Sequence, residues 1–207
     1  MNTTSLSLLS GALLLALTSS AFAASSVDLT VKGLITPSAC TPGMPGDVDF
    51  GKIAAKDLDP DKYTWLERRT VTLNVNCDAA TLFAVKPVDN RAGTEIFANA
   101  FGLGLINQTE KLGAFQLSFS NPVAETPSTL LRQRADGTWT DILDDEGVVP
   151  NDLVALGSRA DTGWAPHPLK DVSMDITLYT AIAPANKLTL TGEVAIDGSA
   201  TLEVVYL

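Results

Sequence analysis

Period-two alternation runs through most of this chain and narrows the architecture sharply. Val71, Leu73, Val75 and Cys77 alternate with Thr70, Thr72, Asn74 and Asn76. Phe115, Leu117 and Phe119 alternate with Gln116, Ser118 and Ser120, and Val172, Met174, Ile176 and Leu178 form a third apolar row. Successive side chains of an extended chain point to opposite faces, so each run predicts a strand with one apolar and one polar face. The same reasoning predicts strands over 27–35, 48–53, 82–85, 129–134, 138–142 and 200–207, and a further pair between 188 and 196. Asp136-Gly137 and Asp197-Gly198 supply hairpin-type turns. Pro87 is expected to cap its strand, and the Pro- and Gly-rich stretch 41–46 to form a loop. Helical spacing is confined to 92–100 and 152–156. Many short strands between Gly/Pro turns predict an all-β sandwich or barrel. No linker divides it.

The first 23 residues read as a secretory signal, leaving 24–207 as a single domain. Leu8 to Leu17 is apolar apart from Ser10 and Gly11, and Ala21-Phe22-Ala23 predicts cleavage between Ala23 and Ala24. The signal has no Lys or Arg in its leading region. The formal net charge of −10 therefore belongs to the remainder. Such a surface repels nucleic acid and anionic lipid.

Export permits disulfides. Cys40 and Cys77 are the only cysteines, so Cys40–Cys77 is the one possible internal bridge; two free buried thiols are the competing reading. A metal site is disfavoured by a single histidine and the absence of Cys-x-x-Cys spacing.

No catalytic motif is present. The nucleophile elbow, the phosphate-binding loop and His-Glu-x-x-His are all missing. His167 lies between two prolines and reads as a loop residue. Asp57, Asp59 and Asp61 have the spacing of a calcium loop, but Lys62 and Arg68 stand where that loop requires Gly and Glu. They read as a solvated turn. Asp144-Asp145-Glu146 reads as an acidic surface loop. Trp65, Trp139 and Trp164 are expected to plug the ends of the core, with stacking on sugar rings as the alternative. No enzyme activity and no cofactor are expected.

The ordered features resemble a known family. A strand leads to Cys40 soon after the signal, Asp49-Phe50-Gly51-Lys52-Ile53 follows, a second strand carries Cys77, and the chain closes on an alternating strand with Tyr206 next to last. This resembles the chaperone–usher pilins of Gram-negative bacteria, and within them a fimbrial-like group catalogued as a domain of unknown function. The resemblance implies an immunoglobulin-like β-sandwich that lacks its last strand, stapled by Cys40–Cys77. It implies a non-catalytic fimbrial subunit serving cell adhesion, exported through the periplasm to a surface fimbrium. Its expected partners are a periplasmic chaperone, an outer-membrane usher, neighbouring subunits and a host glycan or surface receptor. Ala200, Leu202, Val204 and Tyr206 would form the groove edge that the chaperone reads. Val27, Leu29 and Val31 would be the knobs of a donor strand. The segment before residue 29 is short for a separate donor. Either residues 24–32 are themselves the donor, or the subunit polymerises unusually or ends a fibre. The alternative function is a self-contained carbohydrate-binding adhesin module.

Overall fold

The computed structural model describes residues 39–143 and 145–207, which belong to one compact unit. The strands are β1 (Cys40–Gly43), β2 (Thr64–Trp65), β3 (Arg69–Thr81), β4 (Phe83–Asp89), β5 (Phe101–Gly102), β6 (Leu105–Ile106), β7 (Glu110–Lys111) and β8 (Gly113–Ala124). They continue with β9 (Thr129–Gln133), β10 (Trp139–Asp141), β11 (Gly147–Val148), β12 (Val154–Ala160), β13 (Gly163–Pro166), β14 (Leu169–Ile182) and β15 (Ala200–Tyr206). The described residues contain no α-helix, only single 3₁₀ turns at Ala55–Asp57 and Ala185–Lys187.

The all-β, two-sheet expectation is met. One sheet has the order β1-β3-β14-β8-β11, with β2 continuing the β3 side of β14 and β5 beside β8. The other large sheet has the order β13-β10-β9-β12-β4-β15, and β6 and β7 form a separate two-stranded pair. Their facing surfaces form one core that includes Val75, Phe101, Phe119, Met174 and Val154. On the outer face of the first sheet the polar residues pair across strands. Thr70 and Thr177 hydroxyls lie 2.9 Å apart, Thr72 donates to Asp175 at 2.8 Å, and Asn76 donates to Asp171 at 2.9 Å. Asn121 also donates to Asp175. The hydrogen bonds from Asn121 and Thr72 hold the Asp175 carboxyl below its ordinary range.

Cys40 and Cys77 form the disulfide, and they stand directly opposite in the antiparallel β1–β3 pair. One detail differs from expectation: Cys40 begins β1 rather than ending a strand. Thr41-Pro42-Gly43, expected as loop, is the strand itself. Pro42 is tolerated because β1 is the edge of its sheet in the described residues, where a missing N–H costs no ladder bond. The predicted strand over 27–35 and the signal over 1–23 lie outside the described residues.

Other expectations need correction. Strand β4 runs through Pro87, because β12 pairs with β4 only at Val85. Pro87 therefore faces Leu202 of β15 on one side and offers its carbonyl to Asn151 N–H at 2.7 Å. Val154–Ala160 is strand β12, not a helical turn; its pairing with β9 overrides the weak helical spacing. Residues 92–100 form turns instead of a helix. Neither 48–53 nor 188–196 has strand pairing.

Strands β9, β10, β13 and β12 close into a ring, since β13 pairs with both β10 and β12. Leu131 is fully buried there (0% exposed), its Cδ1 lying over Gly157. At one level of the ring Gln133, Trp139, Trp164 and Arg159 stand in register across four strands. Trp139 and Trp164 are half-buried, with the Arg159 guanidinium 6.0 Å from the Trp164 ring centroid. They belong to this ring and are not among the side chains packed against the sandwich core, where the expected plugging role would put them. A Cβ on Gly157 would come within 2.2 Å of the Ala165 carbonyl oxygen and 2.5 Å of Leu131 Cδ1. The backbone carbonyl has nowhere to go. Gly157→Ala is expected to destabilise the fold by about 1–3 kcal/mol, lowering Tm by roughly 2–12 °C in a domain of this size. Thermal melting by circular dichroism checks this, and an unchanged Tm refutes the close approach.

Candidate functional site

Among the described residues β15 ends the second sheet with β4 as its neighbour, and β1 ends the first sheet with β3 as its neighbour. Beside the start of β15, over the β14–β8 face of the first sheet, lies a cleft of about 1170 Å³. Its floor comes from the inward rows of β14 and β8, including Ile176, Thr180 and Phe115. Ala200 and Leu202 supply one wall.

The expected alternation on β15 is present. Ala200, Leu202 and Val204 are half-buried and pack on the core, whereas Thr201 and Glu203 are exposed. Tyr206 shares the inward parity but stands at the end of the strand, 43% exposed. Its phenolic oxygen accepts a hydrogen bond from the Cys40 backbone N–H at 3.0 Å. That contact joins the last strand to the disulfide-bearing strand, a role within the chain that sequence reasoning had not given it. The expected donor residues Val27, Leu29 and Val31 lie outside the described residues.

Two segments without strand pairing, 44–55 and 190–199, form the rims of the cleft. Lys52 Nζ and Glu193 Oε1 meet at 2.9 Å across them, both about nine-tenths exposed. Water screens such a pair strongly, so it is a weak tie. The start of β15 is held more firmly. Arg91 makes a two-pronged pair with Asp197 at 2.7 Å, which keeps its guanidinium charged. Asn90 donates to Ser199 and Thr201. Gly198 is set in the same stretch with no room for a side chain: a Cβ would lie 2.7 Å from Leu103 Cδ2 and 3.2 Å from Phe115.

The groups screened for chemistry behave differently. Ser128 Oγ lies 3.0 Å from His167 Nε2 and 2.7 Å from the Thr126 carbonyl. The carbonyl takes the hydroxyl proton, so the imidazole donates to the oxygen, the reverse of what a general base requires. Asp59 accepts from the backbone N–H groups of Asp61 and Lys62, which holds its carboxyl below the ordinary range. Asp61 accepts from Asn186. Asp59 is thus spent on its local turn, and Asp61 on a tie to the 3₁₀ turn Ala185–Lys187. No group of three or more metal-binding side chains occurs among the described residues.

Trp65 departs from its expected plugging role. It is 57% exposed, with the Phe97 ring 6.1 Å away and Tyr63 5.8 Å from Phe97. Strand β2 holds it at the end of β14, beyond the main sheet face.

The fold and the cleft define a disulfide-stapled β-sandwich with an open apolar seam beside its last strand. A family model described as "Protein of unknown function (DUF1120)" matches residues 29–99, which include both cysteines. Protein GltF of Escherichia coli strain K12 is 30% identical over 219 residues, spanning 90% of this chain and 80% of that protein. The uncharacterized protein YhcF of the same strain is 24% identical over 225 residues, spanning 91% and 93%. The chain belongs to the GltF family.

Proposed function

We propose that this protein is a non-catalytic fimbrial subunit, exported through the periplasm and assembled at the cell surface by the chaperone–usher route. The observation that carries this reading is the apolar cleft beside β15, which is a sheet edge among the described residues. An edge strand with unpaired backbone groups over an apolar cleft invites aggregation unless another strand covers it. Strand addition supplies both the missing main-chain bonds and the missing side chains. In the proposed route a periplasmic chaperone covers the seam first, and a neighbouring subunit's strand replaces it at the usher. The expected donor residues Val27, Leu29 and Val31 recur every second position, as do Ala200, Leu202 and Val204 along the seam. Strand β15, seven residues long, offers roughly 23 Å of pairing edge.

A labelled peptide spanning residues 24–38, added to the exported full-length chain, is expected to bind saturably and raise its Tm. An absence of both effects, in a chain that stays monomeric and soluble alone, sinks the proposal. A second reading, a carbohydrate-binding adhesin with a host glycan as partner, is favoured by the exposed Trp65 beside Phe97 and Tyr63. Aromatic faces of this kind stack on sugar rings. Glycan-array binding lost in Trp65→Ala would support it, and a uniformly negative array would remove it.

A further inference from the structure

We infer that residues 190–196 form a strap on the rim of the cleft, latched to the opposite rim through Lys52 and Glu193, which must be released before a strand can seat beside β15. The inference rests on the strand-acceptor reading above and adds how entry to that site is controlled.

The floor of the cleft is covered in the empty subunit. Phe115, Ile176 and Ile182 are each 5% exposed or less, although β15 is a sheet edge among the described residues and no further strand of the second sheet lies beyond it. The apolar side chains that stand around this floor include Phe50 and Ile53 from one rim and Leu190 and Val194 from the other. A strand that is to place its knobs on the floor therefore needs a rim to move.

The 190–196 rim is fastened at both ends and loose between them. At its start, the Thr189 N–H and hydroxyl donate to the two Glu110 carboxylate oxygens at 2.6 and 2.8 Å. These bonds hold that carboxyl below its ordinary range. At its end, Asp197 takes the two-pronged Arg91 pair, and its N–H donates to the Leu103 carbonyl at 3.3 Å. Among the described residues 190–196 make no backbone hydrogen bond. Leu190 and Val194 are half-buried against the core, and the other five residues are exposed. Gly192 stands in open space, since a Cβ there would meet nothing within 4 Å. Few buried contacts and a solvated backbone mark a segment that opens at low cost while the sheets stay intact. Lys52–Glu193, at 2.9 Å, is the side-chain tie between the rims among the described residues. Exposed to water, it gives a weak and salt-sensitive grip. Such a latch keeps the floor shielded in the empty subunit and yields to an occupant.

The test follows association of the labelled 24–38 peptide with the exported full-length chain by stopped-flow anisotropy. The chain's own segment is common to every form compared. The peptide has one Asp and one Lys, so its formal charges cancel and a charge change on the rim alters its encounter little. Lys52→Glu sets two carboxylates against each other and is expected to speed association about two- to fivefold. Added salt is expected to speed wild type and not the variant. The double variant Lys52→Cys, Glu193→Cys is then bridged with a short bismaleimide; the native cysteines are held in their disulfide. Bridging is expected to slow association at least about tenfold, because it removes the open fraction. The same double variant capped on each thiol with a single maleimide is expected to bind faster than wild type. Equal rates for the bridged and capped forms overturn the strap and leave strand acceptance standing. A Lys52→Glu rate no higher than that of wild type overturns the latch likewise. If the peptide binds none of these forms, strand acceptance itself fails and the strap falls with it.

Discussion

Replacing both Cys40 and Cys77 by alanine is expected to cost the fold roughly 4 kcal/mol. The bridge closes a loop with a sequence separation of 37 residues. On the chain-entropy model, opening such a loop restores about that much freedom to the unfolded chain. For a domain of this size the loss corresponds to a fall in Tm of about 8–16 °C. The native state loses something specific as well. Strand β1 is four residues long, contains a proline and a glycine, and has β3 as its sheet neighbour. Short edge strands are weak on their own, and the bridge sits at the first rung of this one. Freed of it, β1 would also release the Cys40 N–H from Tyr206 and loosen the last strand. The expected readouts are a lowered circular-dichroism melt and reduced yield from the oxidising compartment. Alanine is preferred to serine because Cys77 is 4% exposed and a buried hydroxyl would add its own penalty. An unchanged Tm in the double variant would show that packing alone holds β1 in place.

The strands with strict alternation were legible because each has a buried face and a solvated face. Residues 70–77 and 172–178 pair with each other in the register that puts Val75 opposite Val172 and Leu73 opposite Met174. The segments 48–53 and 190–196 show why the same signal misleads. Leu190 and Val194 are half-buried against the core, so their pattern reports one covered face correctly. Alternation cannot report whether a neighbouring backbone stands alongside to pair, and among the described residues none does. Those two rims and the cleft between them were invisible to periodicity for that reason. The reverse error occurred at Thr41-Pro42-Gly43, where composition argued loop. The register opposite Asn74–Asn76 decided otherwise, because an edge strand needs bonds on one side only.

The site was legible in part. The residues of β15 that line or approach the cleft were readable from parity, and the cysteine pairing from their number and from export. Thr180 carried a signal that went unread: a threonine on the apolar parity of an otherwise aliphatic strand. Its placement needed the structure, which buries it at the floor of the cleft with no partner for the hydroxyl among the described residues. Which tryptophan would be exposed also depended on topology. Trp139 and Trp164 face each other within a closed ring of strands, whereas Trp65 belongs to a two-residue strand at the end of β14.

Leu202→Arg is expected to abolish acceptance of an inserted strand while leaving the subunit folded. Leu202 is half-buried, lies in the middle of β15 and lines the cleft. In the empty subunit an arginine there can extend its head through the open seam into water, so the cost to folding stays small. An inserted strand would seal that exit and trap an unpaired guanidinium against apolar knobs. Burial of an uncompensated charge costs about 3 kcal/mol or more, which weakens binding of the 24–38 peptide at least about 100-fold. Thr201→Arg supplies the control. It is one residue away on the same strand, but its side chain is exposed on the opposite face, so peptide affinity should hold to within about twofold. The contrast between adjacent positions separates the two explanations that a single variant would confuse. If both variants bind the peptide equally well, insertion does not run over the Leu202 face of β15. If both lose it, the added charge acts through the long-range field rather than through the cleft. Only loss at 202 with retention at 201 matches a strand seated between β15 and the first sheet.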